Sequence, residues 1–134
     1  MKVRIVLATT TKQRELCADL LAADPDLGHM DLDEITVWAA LDEHGQVLGM
    51  AGAHFEPESR HAELTCCVVD QTARGKGIQK RLIKARITWA RKLGAATLST
   101  YASIGNLPSL ISLMKCGFQP AEMTDEFLTV TFPL

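Results

Sequence analysis

One stretch of the sequence, residues 68–94, constrains the fold more than any other: VVDQTARGKGIQKRLIKARITWARKLG. It begins as the end of an apolar strand, passes through a turn with two glycines, and continues as a basic segment. Apolar residues in that segment recur four, three, four and four positions apart, which predicts a helix with one buried stripe along Ile78, Leu82, Ala85, Trp89 and Leu93. Gly94 is the expected C-cap. The fold therefore contains a strand joined directly to a helix.

The charge of the chain is divided unevenly along the sequence. Residues 71–98 carry eight of the 14 basic residues and no acidic residue, so the remaining segments hold six basic residues against all 16 acidic ones. The net charge of the whole chain is only −2. This balance argues against general nucleic-acid binding and favours one compact anion beside the basic segment.

The other segments predict a mixed α/β (α+β) fold. A single domain over residues 1–134 suits the length. Periodicity and turn signals predict strands at 2–8, 35–41, 46–55, 62–69, 95–101, 118–123 and 126–134, and helices at 10–23 and 106–116 in addition to the basic one. The resulting order is β-α-β-β-β-α-β-α-β-β, which is not an alternating doubly wound pattern.

The four cysteines and the apolar runs help to predict the cellular compartment of the protein. Cys17, Cys66, Cys67 and Cys116 follow no CxxC spacing, so we interpret them as small, reduced core residues without a metal or disulfide role. The N-terminus is too charged for a signal peptide, and no apolar run approaches the roughly 18 residues of a membrane span. We expect a cytoplasmic protein that binds no metal and no membrane.

The glycine turn predicts a phosphate-binding nest. The N–H groups of a helix's first turn have no acceptor within the helix, and the helix dipole places about half a positive charge there. Gly75 and Gly77 let an anion approach the backbone, and Arg74 and Lys76 add full charges. The turn matches neither the Walker loop nor the dinucleotide fingerprint. A solvated helix face is the alternative for the distal Lys84, Arg91 and Lys92.

Two motifs resemble the GNAT superfamily of N-acyltransferases. VVDQTARGKGIQKRL resembles the family's acyl-coenzyme A signature, Arg/Gln-x-x-Gly-x-Gly/Ala, and NLPSLISLMKCGF resembles its later motif. In the later motif Asn106, Ser109, Gly117 and Phe118 fit the expected offsets. The resemblance implies a mixed sheet splayed open at the strand before the signature. It also implies that acetyl-CoA is bound by Val68, Val69, Arg74, Gly75, Lys76, Gly77, Ile78, Gln79, Asn106 and Ser109.

The sequence departs from the family pattern at two positions. Gln79 stands where the family usually has Gly or Ala, although its backbone N–H remains available to a pyrophosphate. Leu113 stands seven residues after Asn106, where the family often has a tyrosine that protonates the departing thiolate.

The resemblance implies transfer of an acetyl group from acetyl-CoA directly to a primary amine in a ternary complex. Glu63, six residues before Val69, is the first candidate for the general base, and Tyr101, the only tyrosine, is the candidate acid. His54 and Glu56 are second candidates for the base, and we interpret His61 as an exposed loop residue. The alternative function is a sensor or regulatory module that binds acetyl-CoA without transferring its acetyl group.

The acceptor is expected to be a small-molecule or peptide amine. The segment with Asp24, Asp26, Asp31, Asp33 and Glu34 lies where the family borders its acceptor cleft, which favours a cationic amine; a solvated loop explains it as well. The last strands allow a homodimer without requiring one. Nucleic-acid binding is disfavoured by the acidic remainder and by the lack of an aromatic platform.

Overall fold

The computed structural model describes residues 2–27 and 30–134. The irregular segment predicted over 24–34 includes Gly28 and His29, which lie outside the described residues. Ten helices and strands follow in the predicted order, and the mixed α/β class is confirmed. They are β1 (Arg4–Leu7), α1 (Thr11–Ala22), β2 (Thr36–Leu41), β3 (Val47–Glu56), β4 (His61–Val69), α2 (Ile78–Lys92), β5 (Thr97–Ser103), α3 (Leu107–Lys115), β6 (Gln119–Met123) and β7 (Phe127–Phe132). Two short 3₁₀ turns, Leu32–Glu34 and Gln71–Ala73, complete the chain.

The strands form one seven-stranded mixed sheet in the order β1-β2-β3-β4-β5-β7-β6. β4 is the fourth of the seven, as expected for a strand that is apolar on both faces towards its end. Its pairing with β5 is parallel, with His61, Ala62 and Glu63 opposite Thr97, Leu98 and Ser99. β5 then pairs antiparallel with β7. The crossover from β4 to β5 runs through α2, as parallel neighbours require.

The chain divides into two compact units, and the first consists of residues 1–54 and 65–82. β1, β2 and β3 pair antiparallel within it. Helix α1 begins with a capping box, in which Thr10 and Gln13 exchange side-chain and backbone hydrogen bonds. The buried core of this unit gathers small and aliphatic side chains from both helix and strands, including Cys17, Leu21, Val37, Met50 and Val68.

The second unit consists of residues 55–64 and 83–134. Its core is formed by buried side chains that include Leu64, Ile83, Leu98, Leu110 and Val130. Aromatic rings add specific contacts: Phe118 lies 5.3 Å from Phe132, and the guanidinium of Arg91 lies 5.2 Å above the Phe132 ring. These contacts tie the end of α2 and the start of β6 to β7.

Helix α2 buries Ile78 and Leu82 of the predicted stripe, but the prediction was wrong for Leu93. Leu93 is 45% exposed because it follows the last helical residue, Lys92. The buried face also includes Ile83, Ile87 and Arg86, which is only 3% exposed. The buried positions of the helix therefore cover a wider arc than one stripe. Gly94, the expected C-cap, has a positive φ of 72°, which is typical of a glycine at the end of a helix.

All four cysteines are free, and Cys17 and Cys66 are buried as predicted, whereas Cys67 and Cys116 are half-buried. Burial raises the pKa of the Cys17 thiol to about 11, against the opposing effect of Arg14, so this thiol stays protonated. Among residues 2–27 and 30–134, no three His, Cys, Asp or Glu side chains are grouped to hold a metal ion. Within the same residues, each helix is too short or too polar to cross a membrane.

Gly52 of β3 provides a test of how closely β3 and β4 pack. A Cβ atom at this position would lie 2.5 Å from Ile35 Cδ1 and 2.7 Å from Thr65 Oγ1. We expect Gly52→Ala to lower the free energy of unfolding by about 1–3 kcal/mol, the usual cost of overpacking. Denaturant unfolding measures it.

Gly105→Ala is the matched control. Its Cβ would meet only Ser103 Oγ, at 3.7 Å, so the substitution should be neutral or slightly stabilising. Equal effects of the two substitutions would contradict the tight packing at Gly52.

Candidate functional site

The turn after β4 is shaped by Asp70. Its carboxylate accepts hydrogen bonds from the Thr72 N–H at 2.9 Å and the Thr72 hydroxyl at 2.7 Å, which caps the 3₁₀ turn Gln71–Ala73. The Asp70 N–H donates to the Leu48 carbonyl at 2.8 Å, anchoring the turn to β3. The Thr72 hydrogen bonds hold the pKa of the Asp70 carboxyl below its ordinary value of 3.8, and nearby Arg74 adds to the effect.

The two glycines of the turn both need positive φ. Gly75 has φ 79° and Gly77 has φ 77°, a region that other L-residues enter only with strain. A Cβ atom at either position would meet nothing within 4 Å. Conformation, and not crowding by the protein, therefore explains the glycines. That an anion approaches this uncrowded backbone stays a prediction from the sequence.

Helix α2 starts at the end of this turn. The Arg81 N–H donates to the Gly77 carbonyl at 3.1 Å, so Gly77 is the residue before the first helical position, Ile78. Ile78 is buried, and a Cβ on Gly49 would lie 3.2 Å from its Cγ2 atom. Gly49 thus allows the first turn of α2 to pack closely on β3. That contact fixes where the positive end of the helix dipole lies.

The charged side chains of the turn are exposed, and one of them also makes a hydrogen bond within the protein. Arg74 Nε donates to the carbonyl of Val69, the last residue of β4, at 3.2 Å. Lys76, Lys80 and Arg81 are exposed around the glycines and the helix start. An exposed nest of glycine backbone, helix N-terminus and three or four cations is suited to a phosphate group.

Glu63 lies on β4 within a polar cluster. In the parallel register it stands opposite Ser99, and His61 stands opposite Thr97. The ring of His61 is held by both hydroxyls: Nδ1 is 2.6 Å from Thr97 Oγ1, and Nε2 is 3.1 Å from Ser99 Oγ. Interpreting His61 as an exposed loop residue was therefore wrong. It is a half-buried strand residue, because β4 begins one position earlier than its apolar run.

The remaining catalytic candidates occupy different surroundings. Tyr101 lies in the middle of β5, 56% exposed, with its ring edge-on to Phe127 at 5.4 Å. The Glu56 carboxylate accepts the N–H of Glu58 at 3.1 Å, so it caps the turn after β3. His54 is exposed near the end of the same strand. Leu113 is 5% exposed and belongs to the core, so no hydroxyl is available at that position.

Asn106 is the N-cap of α3. Its side-chain oxygen accepts the N–H of Ser109 at 3.4 Å, and Pro108 lies in the first turn, as predicted. Asn106 is exposed and Ser109 half-buried. The two residues of the later motif are thus adjacent at one helix end, where the backbone and side chains offer several hydrogen-bonding groups.

Much of the acidic segment shapes its own backbone. The Asp24 carboxylate accepts the N–H groups of Asp26 and Leu27, at 2.8 and 3.1 Å. The Asp31 carboxylate accepts the Asp33 N–H at 2.9 Å, while Asp33 lies 3.7 Å from Arg14. Glu34 is exposed. Asp24 and Asp31 thus have a structural role as hydrogen-bond acceptors. Other carboxylates of the segment are exposed at the surface.

The structure brings together Arg74–Gln79 in one turn, Glu63 with His61 on one strand, and Asn106 with Ser109 at one helix end. Sequence reasoning missed the hydroxyls of Thr97 and Ser99. Their alternation along β5 was readable from the sequence, but their register against β4 was not. It also missed Thr72, although Asp-x-Thr is a recognisable turn motif.

Comparison with known proteins identifies the family. Residues 8–118 match the model of the acetyltransferase (GNAT) family, so the chain belongs to that family. A curated relative, the beta-lysine N(6)-acetyltransferase of Methanosarcina mazei, is 38% identical over 45 residues. That match covers 34% of this chain and only 17% of the relative.

Solved structures share the fold over nearly the whole chain. One chain of the NatC complex bound to Gag peptide and CoA superimposes with a TM-score of 0.87 at 16% identity, covering 100% of this chain and 99% of that one. A Bacillus subtilis acetyltransferase in complex with CoA gives a TM-score of 0.82 at 20% identity, covering 99% of each. At these identities the likeness establishes the fold.

The Asp70 turn predicts a pKa change. Because the Thr72 hydroxyl contributes most to the lowered pKa, Thr72→Val should raise the pKa of Asp70 towards 3.8, and NMR titration of its carboxyl carbon measures this. The lowered pKa stabilises the fold above about pH 3.8, and that contribution is lost as the pH falls through the folded-state pKa. Thr72→Ser, which keeps the hydroxyl, should leave the pKa low; a rise in both variants would exclude the hydroxyl as the cause.

Proposed function

We propose that this chain is an N-acetyltransferase that moves the acetyl group of acetyl-CoA to a primary amine by direct transfer in a ternary complex. The observation that carries the proposal is the turn at residues 74–79, where two positive-φ glycines stand open beside the start of α2. Family membership and CoA-bound structural neighbours support acetyl-CoA as the co-substrate.

The residues fit the parts of acetyl-CoA as follows. The pyrophosphate would take backbone N–H groups that follow Arg74 and the charges of Arg74 and Lys76, where the two glycines leave the backbone uncrowded. The backbone of Val68 and Val69 would hold the pantetheine arm and polarise the thioester carbonyl. Asn106 and Ser109, at the start of α3, would contact the arm further along.

We assign the general base to Glu63. A lysine-like amine with a pKa of about 10.4 is charged at pH 7, and removing its proton costs about 4.6 kcal/mol. A positioned base typically contributes about 10²–10⁴-fold to the rate, so this role matters. Glu63 is half-buried on β4, on the same face as Val69, because six residues separate them and side chains alternate along a strand.

The general acid is the less demanding role. The leaving thiol has a pKa of about 8.5, so its thiolate departs without a dedicated proton donor. Leu113 is buried and has no hydroxyl, and we propose Tyr101, largely exposed on β5, as the residue that takes this role. Replacing Tyr101 should therefore matter less than replacing Glu63.

For the acceptor we propose a small-molecule or peptide amine that carries positive charge. Asp26, Asp33 and Glu34 expose carboxylates in the segment before β2, and the basic residues of the chain are concentrated elsewhere. Attraction between exposed opposite charges raises local acceptor concentration and falls with added salt. Assembly as a homodimer and a cytoplasmic location remain predictions from the sequence.

Gly77 tests the proposed binding turn. Gly77→Ala should weaken acetyl-CoA binding about 10-fold or more by calorimetry, because relieving the strain of about 1–2 kcal/mol would move the turn. Gly77→Glu adds a negative charge and should abolish binding.

Gly45→Ala is the matched control, since Gly45 also has φ 77° and open surroundings but lies in the turn between β2 and β3. It should cost similar stability and leave acetyl-CoA affinity unchanged. Equal affinity in all three proteins and the wild type would refute the turn as the binding site.

Glu63→Gln tests the reaction. We expect amine-dependent thiol release from acetyl-CoA to fall about 10²-fold, with acetyl-CoA affinity retained, because the amide cannot accept the amine proton. The same assay over cationic, neutral and anionic amines tests the acceptor, and preference for neutral or anionic amines would refute the cationic class. Tight acetyl-CoA binding by the wild type without turnover on any amine would instead establish the alternative function, a non-catalytic sensor.

A further inference from the structure

His61 is held at both ring nitrogens by hydroxyl groups of one neighbouring strand. Nδ1 lies 2.6 Å from the Thr97 hydroxyl and Nε2 lies 3.1 Å from the Ser99 hydroxyl. A neutral imidazole donates at one nitrogen and accepts at the other, and a hydroxyl does both. Each tautomer of His61 therefore satisfies both contacts, so the ring can pass a proton through without turning.

No direct hydrogen bond joins Ser99 to Glu63, but the sheet places the two side chains beside each other. Glu63 and Ser99 are register partners in the parallel pairing of β4 with β5, so their side chains project from the same face of the sheet. At the other end, Thr97 is exposed to solvent while Ser99 and His61 are half-buried. The four side chains thus form a row from Glu63 through Ser99 and His61 to Thr97, ending in water.

The charged residues near His61 make hydrogen bonds to groups other than its ring. Arg60, the preceding residue, donates from Nε to the Gly94 carbonyl at 3.0 Å, and its own carbonyl accepts the Ala96 N–H at 2.7 Å. Glu56, across the turn, accepts the Glu58 N–H. Both are exposed and engaged in shaping the turn.

We propose that Ser99, His61 and Thr97 form a proton wire that carries to solvent the proton which Glu63 removes from the amine. The inference rests on the proposed function, in which Glu63 is the general base. The wire returns Glu63 to its ionised form for the next turnover. Glu63 touches the substrate in this scheme, and the other three residues act through it.

The transfers balance along the wire. The protonated Glu63 gives its proton to a water that bridges it to Ser99. That water passes a proton to Ser99 Oγ, and the proton of the hydroxyl moves to His61 Nε2. The proton on Nδ1 moves to Thr97 Oγ1, whose own proton passes to water. One proton leaves Glu63 and one enters solvent, and the imidazole changes from one tautomer to the other. Exchange of the ring protons with water then restores the first tautomer.

Two matched pairs of variants test the wire. Thr97→Val and Ser99→Ala remove a hydroxyl, whereas Thr97→Ser and Ser99→Thr keep it. We expect the first two to lower kcat about 10-fold, a part of the contribution of a general base, with the KM for acetyl-CoA and the melting temperature nearly unchanged. The hydroxyl-keeping variants should retain kcat within about twofold, since only the hydroxyl is needed.

His61→Ala provides the second readout. Added imidazole should restore its kcat if the ring moves protons, because a merely structural ring is not replaced from solution. Turnover unchanged in Thr97→Val and Ser99→Ala, or lost equally in all four hydroxyl variants, would overturn the wire.

The proposed function is judged separately in the same assay. If Glu63→Gln is inactive but Thr97→Val and Ser99→Ala match the wild type, the base stands and the wire fails. If Glu63→Gln turns over at the wild-type rate, the assignment of the base fails, and the wire fails with it. If the wild type binds acetyl-CoA but acetylates no amine, the proposed function itself fails.

Discussion

The parallel pairing of β4 with β5 is the interaction on which the candidate chemistry depends. It sets Glu63 opposite Ser99 and His61 opposite Thr97, so that polar side chains from two distant segments share one face of the sheet. The Thr100 hydroxyl adds a buried bond to the Leu64 carbonyl at 2.8 Å, at the next position along the strands. A shift of one residue in this register would turn the polar row to the opposite face.

The same strand also ends at the binding turn. β4 is long enough to carry Glu63 near its start and Val69 at its end, and alternation keeps the two on one face. After Val69 the backbone is turned by the Asp70 cap and by two residues with positive φ. The proposed base thus lies on β4, and the proposed phosphate site follows the end of the same strand.

Some features of the structure lie within the family match, and others depend on particular residues of this chain. The family match covers residues 8–118, which contain the three helices, the strands β2 to β5 and the glycine turn. The hydroxyl contacts of His61 come from two residues of β5, Thr97 and Ser99. At Leu113 the chain departs from the family pattern, because the side chain there is apolar and buried in the core. The proposed chemistry therefore relies on Glu63 more than on an acid.

The sequence by itself determined the helices, the strands and the position of the glycine turn, because periodicity, caps and glycine requirements are local properties of the chain. It predicted all seven strands and three helices in order, Gly94 at the end of α2, and the Asn106 cap. Only the tertiary structure decided which residues of β4 and β5 meet, since register depends on contacts between segments far apart in sequence. For that reason the hydroxyl partners of His61 could not be predicted. The wrong predictions at His61 and Leu93 concern instead where β4 begins and where α2 ends.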